Sequence, residues 1–162
     1  MKSRTATWKS VTLTFALAVV FYLLAYSGLS RWQTDRGPWQ AAFAAGADGV
    51  PQITIGQPAL GFSNIVLRFE GETLTASNRP GLVLFAKPKQ PVPFGEVIYD
   101  DLMRQPGDVA LDCFGHVVEM VPSALGLNSR RFGWTNHAVY SLWPTNKLSA
   151  AARAKFKGGY RR

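Results

Sequence analysis

Two kinds of apolar pattern run along the chain. Residues 11–29 read VTLTFALAVVFYLLAYSGL, with no charge among them. After Trp39 the apolar residues come instead in short blocks separated by Gly, Pro, Asn and Asp. A helix rises about 1.5 Å per residue, so about 20 apolar residues cross the roughly 30 Å hydrocarbon core of a bilayer. The first pattern therefore predicts a transmembrane helix over residues 11–30. Thr12, Thr14 and Ser27 are tolerated in it because each hydroxyl can bond a backbone carbonyl one turn earlier. Trp8, Tyr26 and Trp32 carry rings that favour the headgroup zone, and they are the membrane-interface candidates. A cleaved signal peptide, with Ala25-Tyr26-Ser27 as its small-x-small site, is the competing reading. The apolar run exceeds the roughly 7–15 residues of a signal peptide's core, which favours a retained anchor.

The second pattern predicts strands. Residues 39–45 and 52–55 flank Gly46-Ala47-Asp48-Gly49 and read as a hairpin. Residues 65–70 alternate, with Ile65, Leu67 and Phe69 on one face. A turn at Gly71-Glu72 leads into a strand over 73–76, and residues 82–86 form a short, fully apolar strand. Pro88, Pro91 and Pro93 cannot donate to a ladder, so residues 87–93 are irregular. Further strands are expected over 96–99, 108–114, 117–121, 124–127, 131–134 and 138–143. Asn128-Ser129-Arg130 makes a hairpin turn, and residues 101–105 make a single helical turn. Ser149 caps a short helix over 150–157, with Gly158 just past its end. The expected fold is mainly β: a small β-sandwich or open barrel on one N-terminal transmembrane helix, with a short basic C-terminal tail, helical or disordered. The expected organisation is an N-terminal segment 1–10, a membrane helix 11–30, a stalk 31–38, a β domain 39–146 and a basic tail 147–162.

Charge changes the picture once it is divided along the chain. The net charge is +8 over 162 residues. The segment before the anchor carries +3, residues 31–146 carry −1, and the tail from Lys147 carries +6. The β domain is nearly neutral, which argues against a nucleic-acid partner. The tail cations Lys147, Arg153, Lys155, Lys157, Arg161 and Arg162 are candidates for membrane lipid, since each contributes roughly 1 kcal/mol near an anionic leaflet. Three basic residues precede the anchor, whereas Arg31 and Arg36 follow it. The positive-inside rule then sets the N-terminus in the cytoplasm and the bulk of the chain in the periplasm, on a single-pass protein of the inner membrane. Cys113 is the only cysteine, so no intrachain disulfide forms.

Candidate chemistry is sparse. Asp112, Cys113 and His116 are weak metal-ligand candidates, with Glu119 nearby. Strand alternation puts Asp112 and His116 on one face and Cys113 and Glu119 on the other, which splits the set; a bulge or turn at Gly115 would bring Cys113 and His116 together, but zinc needs three or four convergent ligands. The carboxylates Asp100, Asp101, Asp108 and Asp112 crowd one stretch, but adjacent side chains of an extended chain point opposite ways. Pro106-Gly107-Asp108 in a β domain behind an anchor resembles the bacterial signal peptidases, which work through a serine and a lysine. No lysine lies between Tyr99 and Gln105, neither Ser63 nor Ser77 sits in a matching motif, and arginine cannot act as the base. The tripeptide reads as a turn. Neither a phosphate-binding loop nor a haem-attachment motif occurs, and no cofactor or catalytic residue is expected. Trp39, Phe62, Phe94, Trp134 and Trp143 are mostly core, with one or two left as interface anchors. The expected role is a non-catalytic accessory subunit or assembly factor of a larger membrane complex, with other membrane protein subunits as partners. The alternatives are an extracytoplasmic enzyme or metal-binding domain using Asp112 and His116, and a lipid or envelope binder acting through the tail.

Overall fold

The computed structural model describes residues 4–34, 36–75, 79–103 and 105–159. The chain divides into two units, Met1–Asp35 and Arg36–Arg162.

The first unit is one helix, α1 (Arg4–Thr34). Its stretch Ser10–Gly28 is long and apolar enough to cross a membrane, a test that a signal sequence also meets. The three hydroxyls behave as expected of helical Ser and Thr. Thr12 donates to the Trp8 carbonyl at 2.9 Å, Thr14 to Ser10 at 2.9 Å and Ser27 to Leu24 at 3.0 Å. Trp8 and Tyr26 are exposed on it, and Tyr26 stacks on Tyr22, one turn away. The side chain of Trp32 lies outside the described residues. The expected stalk is shorter than the sequence suggested, because the helix carries on to Thr34 before Gly37 turns the chain at φ +69°.

The second unit is built from ten strands: β1 (Gln40–Ala45), β2 (Pro51–Gln57), β3 (Phe62–Phe69), β4 (Gly81–Leu84), β5 (Glu96–Asp101), β6 (Asp108–Cys113), β7 (His116–Val121), β8 (Ala124–Leu127), β9 (Arg130–Phe132) and β10 (Val139–Leu142). They form two five-stranded sheets, ordered β10-β3-β2-β1-β4 and β5-β6-β7-β8-β9. Every pairing is antiparallel except β10 with β3, which is parallel. One apolar cluster joins Phe43, Ile53, Leu67 and Val83 of the first sheet to Leu111, Val118, Met120 and Leu125 of the second. The fold is mainly β, and two open sheets sharing a core fit the sandwich rather than the barrel.

Local chemistry explains the elements. Ile65, Leu67 and Phe69 are fully buried on alternate positions of β3, as the pattern predicts. Residues 72–75 are irregular rather than a strand, because the Glu72 N–H turns back onto the Phe69 carbonyl; Ala76 lies outside the described residues. β4 is an edge strand with one covered face: Val83 is buried while Leu82 is 64% exposed. The expected helical turn at 101–105 is not formed where described. β5 stays paired with β6 to Asp101, whose carboxylate then accepts the Met103 N–H at 3.2 Å. Gly107 is obligatory, since a Cβ there would sit 1.8 Å from the Asp101 carbonyl oxygen. Its own carbonyl accepts the indole N–H of buried Trp39 at 2.6 Å. Trp39 stacks on Trp134 (5.0 Å between centroids), and Trp134 stacks on Phe62 (5.1 Å), so three of the expected core aromatics form one stack. Trp143 is 54% exposed.

The C-terminal helix, α2 (Ala150–Gly159), starts where the sequence places its cap: the Ser149 hydroxyl accepts the Ala152 N–H at 3.2 Å. It runs on through Gly158 to Gly159.

Candidate functional site

Two tight hairpins carry the residues singled out from sequence. Phe114 and Gly115, both at positive φ, turn β6 into β7, and Asn128 and Ser129, also both positive, turn β8 into β9. Positive φ at both central positions matches the right-handed twist of the flanking strands. The first turn corrects the expected faces of the metal candidates. With two residues in the loop, Cys113 and His116 stand directly opposite each other, and Asp112 stands opposite Val117. Cross-strand partners share a face. Cys113 and His116 therefore point into the core, while Asp112 and Glu119 point to the other side. Counting alternation straight through the hairpin reversed these assignments. Among the described residues no group of three His, Cys, Asp or Glu side chains could hold a metal ion.

Each of the three candidates is held by its surroundings. The Cys113 thiol is fully buried, faces the Phe94 carbonyl at 3.5 Å, and is pushed far up in pKa by burial and then by the charge of Asp112. A thiol kept protonated is a poor nucleophile and a poor metal ligand. Asp112, on the outer face, accepts from Arg153 of α2 at 3.0 Å. His116 is buried beside Phe69 and faces Asn128. The Asn128 amide is oriented by its neighbours: its oxygen accepts the Val117 N–H at 3.0 Å, and its NH2 donates to the Asn146 carbonyl at 2.8 Å. The same NH2 therefore donates to His116 Nδ1, at 2.9 Å. Nδ1 as acceptor requires a neutral ring with its proton on Nε2, which is buried and has no hydrogen-bond partner among the described residues. Burial, followed by the positive charge of Lys147, holds the His116 pKa below its usual value.

The tail is largely docked. Lys147 pairs with Glu72 at 2.5 Å, Arg153 with Asp112, and Lys157 with Glu96. Lys155 is exposed, and Arg161 and Arg162 lie outside the described residues. Three cations read as a free basic tail are thus matched to acids more than 40 residues distant in sequence. No local pattern could have shown this.

A feature absent from the sequence reading is a cleft of about 480 Å³ between β9 and β10, the edge strands of the two sheets. Leu127, Phe132, Tyr140 and Leu142 line it with apolar surface, and Asn128, Asn146 and Arg130 supply polar groups. On the opposite side the chain itself crosses between the sheets: Pro93 packs near Gly81 of β4, and the Lys89 N–H bonds the Asp100 carboxylate of β5 at 2.5 Å. The carboxylates Asp101 and Asp108 also meet, as opposed residues of β5 and β6. Burial, then Asp101, then Glu119 raise the pKa of Asp108. No protein-family model, no curated protein and no solved structure matches this chain.

Proposed function

We propose that the chain is a single-pass protein of the inner membrane, with a cytoplasmic N-terminus and a periplasmic β unit. In this reading it acts as a non-catalytic accessory subunit or assembly factor of a larger membrane complex. The observation that carries the reading is the helix stretch Ser10–Gly28, which is long and apolar enough to cross a membrane and carries no charge. So long an apolar surface calls for lipid or another apolar helix. The state of the polar groups supports the non-catalytic part. Asp112 is neutralised by Arg153, the Cys113 thiol is held protonated, and neutral His116 is enclosed.

Extraction of native membranes in mild detergent tests this. The chain is expected to resist an alkaline wash, to keep residues 1–28, and to migrate with other subunits above its own mass of 17.8 kDa. Release by the wash, or a mature N-terminus just after Ser27, sinks the anchor. Migration alone as a monomer sinks the accessory role.

A further inference from the structure

We propose that the seam between β9 and β10 receives an extended, acidic segment of another polypeptide, which adds to the free edge of β10 and sets a carboxylate on Arg130. The inference rests on the accessory-subunit reading in one respect, that the ligand is another polypeptide.

The backbone of β10 supplies the first argument. Ala138 and Leu142 direct their carbonyls to the N–H groups of Val66 in β3 and of Glu70 just after it. Backbone groups alternate sides along a strand, so Val139 and Ser141 turn their N–H and C=O groups away from β3, towards the open edge. Two such residues at a spacing of two are the docking pattern for an added strand. An unprotected edge is otherwise a liability in a soluble domain, and here neither a neighbouring strand nor a proline blunts it.

The cleft supplies the second argument. Leu127, Phe132, Tyr140 and Leu142 give alternate side chains of an incoming strand an apolar surface. Both seams are crossed by the protein's own chain, this one by residues 133–138 and again where Asn146 accepts from Asn128; between these crossings the cleft along Val139–Leu142 is accessible.

Charge selects the partner. Arg130 stands opposite Leu127 in the β8–β9 ladder and therefore faces the cleft, whereas Arg131, opposite Gly126, faces the other side. Arg130 is exposed and lines the cleft, and among the described residues no acid lines it. Glu70, which receives the hydroxyl of the lining residue Ser141 at 3.2 Å, is itself paired with Arg68. Among the described residues Arg130 has no ion pair, and a guanidinium in a half-apolar cleft favours a carboxylate.

The test uses the full chain in detergent and dye-labelled peptides read by fluorescence anisotropy. An extended peptide with Val and Glu together on one face and Ser on the other is expected to bind saturably, and its counterpart with Lys in place of Glu roughly tenfold or more weakly. Arg130→Glu is expected to reverse that preference. Ser141→Pro removes one edge donor without touching the β3 ladder, and is expected to weaken the Glu-Val peptide by roughly tenfold or more. Arg130→Glu is a surface change, so it decides the matter even if Ser141→Pro lowers the unfolding midpoint. No saturable binding, equal binding of both peptides, or indifference to Arg130→Glu overturns the proposal. So does a chain that is already dimeric and becomes monomeric on Ser141→Pro, since the edge then serves a second copy. A pull-down from native membranes separates the two readings. If wild type brings subunits down and Arg130→Glu keeps them, the seam is wrong and the accessory role stands. If wild type comes down alone, the accessory role falls whatever the peptides do.

Discussion

Removing the Arg153 side chain asks whether the C-terminal helix is part of the β unit or an appendage to it. Arg153 meets Asp112 at 3.0 Å; the carboxylate side chain is 6% exposed and the guanidinium side chain 33%. Charges about 4 Å apart at an effective dielectric near 20 attract by about 4 kcal/mol. Ordering a long Arg side chain opposes this by up to about 2 kcal/mol, and the partial exposure screens it further. The pair is thus expected to contribute about 1–2 kcal/mol. Arg153→Ala costs more than that, because it leaves a covered carboxylate without its cation. Removal of one partner from a fully buried pair costs about 3–5 kcal/mol, and discounting for exposure brings the expectation to about 2 kcal/mol. With a urea slope near 2 kcal/mol/M, the midpoint should fall by roughly 1 M. Lys157→Ala, which breaks an exposed pair, should cost under about 0.5 kcal/mol. Urea titration of the full chain in detergent, read by tryptophan fluorescence, measures both. Adding Asp112→Asn to Arg153→Ala should recover part of the loss, because the uncompensated charge is gone. Equal, small shifts for Arg153→Ala and Lys157→Ala would refute a docked helix. So would strict additivity of Arg153→Ala and Asp112→Asn.

Three further outcomes follow from the buried groups. Gly107→Ala should cost more than about 3 kcal/mol or abolish folding, since its Cβ would meet backbone, whereas Gly133→Ala enters open space and should be near neutral in thermal unfolding. Asp108→Asn should stabilise the protein by about 0.5 kcal/mol at pH 7, because it relieves the opposed pair with Asp101. Since the folded pKa of Asp108 is raised, its stabilising contribution is present below about pH 3.8 and lost as pH rises through the folded value; the gain in Asp108→Asn should vanish in acid. The folded pKa of His116 is lowered, so stability is full above its unfolded value of 6.5 and falls as pH drops towards the folded one. The slope should reach at most about 1.4 kcal/mol per pH unit, and His116→Gln should flatten it in urea midpoints taken between pH 7 and 5.

What was legible in the sequence was what short-range periodicity encodes. The charge-free run, the β1–β2 hairpin, the alternation of Ile65, Leu67 and Phe69, and the Ser149 cap each depend on residues within a few positions of one another. The errors came where partners were remote or where parity shifted. Taking residues 114–115 as the whole turn, rather than as part of continuous alternation, moves His116 from the face of Asp112 to that of Cys113. The sequence signal was Gly115, which favours the positive φ that such a turn needs. The pairing of β10 with β3 and the acids that receive Lys147, Arg153 and Lys157 had no local signal. The β9–β10 cleft exists only because two sheets meet there, so it too was invisible from spacing.

The parallel pairing of β10 beside β3 also governs how the fold is completed in time. Val139 pairs with Val66, so the first sheet waits for residues made after the whole second sheet before its outer strand arrives. Contacts so distant in sequence close late and slow the search for the native state. Until then β3, with Val66 and Arg68 on its uncovered face, offers a bare edge to any neighbouring strand. A chain cut anywhere before Leu142 would keep that edge permanently. Synthesis of the final strand thus works as a completion signal: it is the step that covers the β3 edge and moves the open edge of the first sheet to β10.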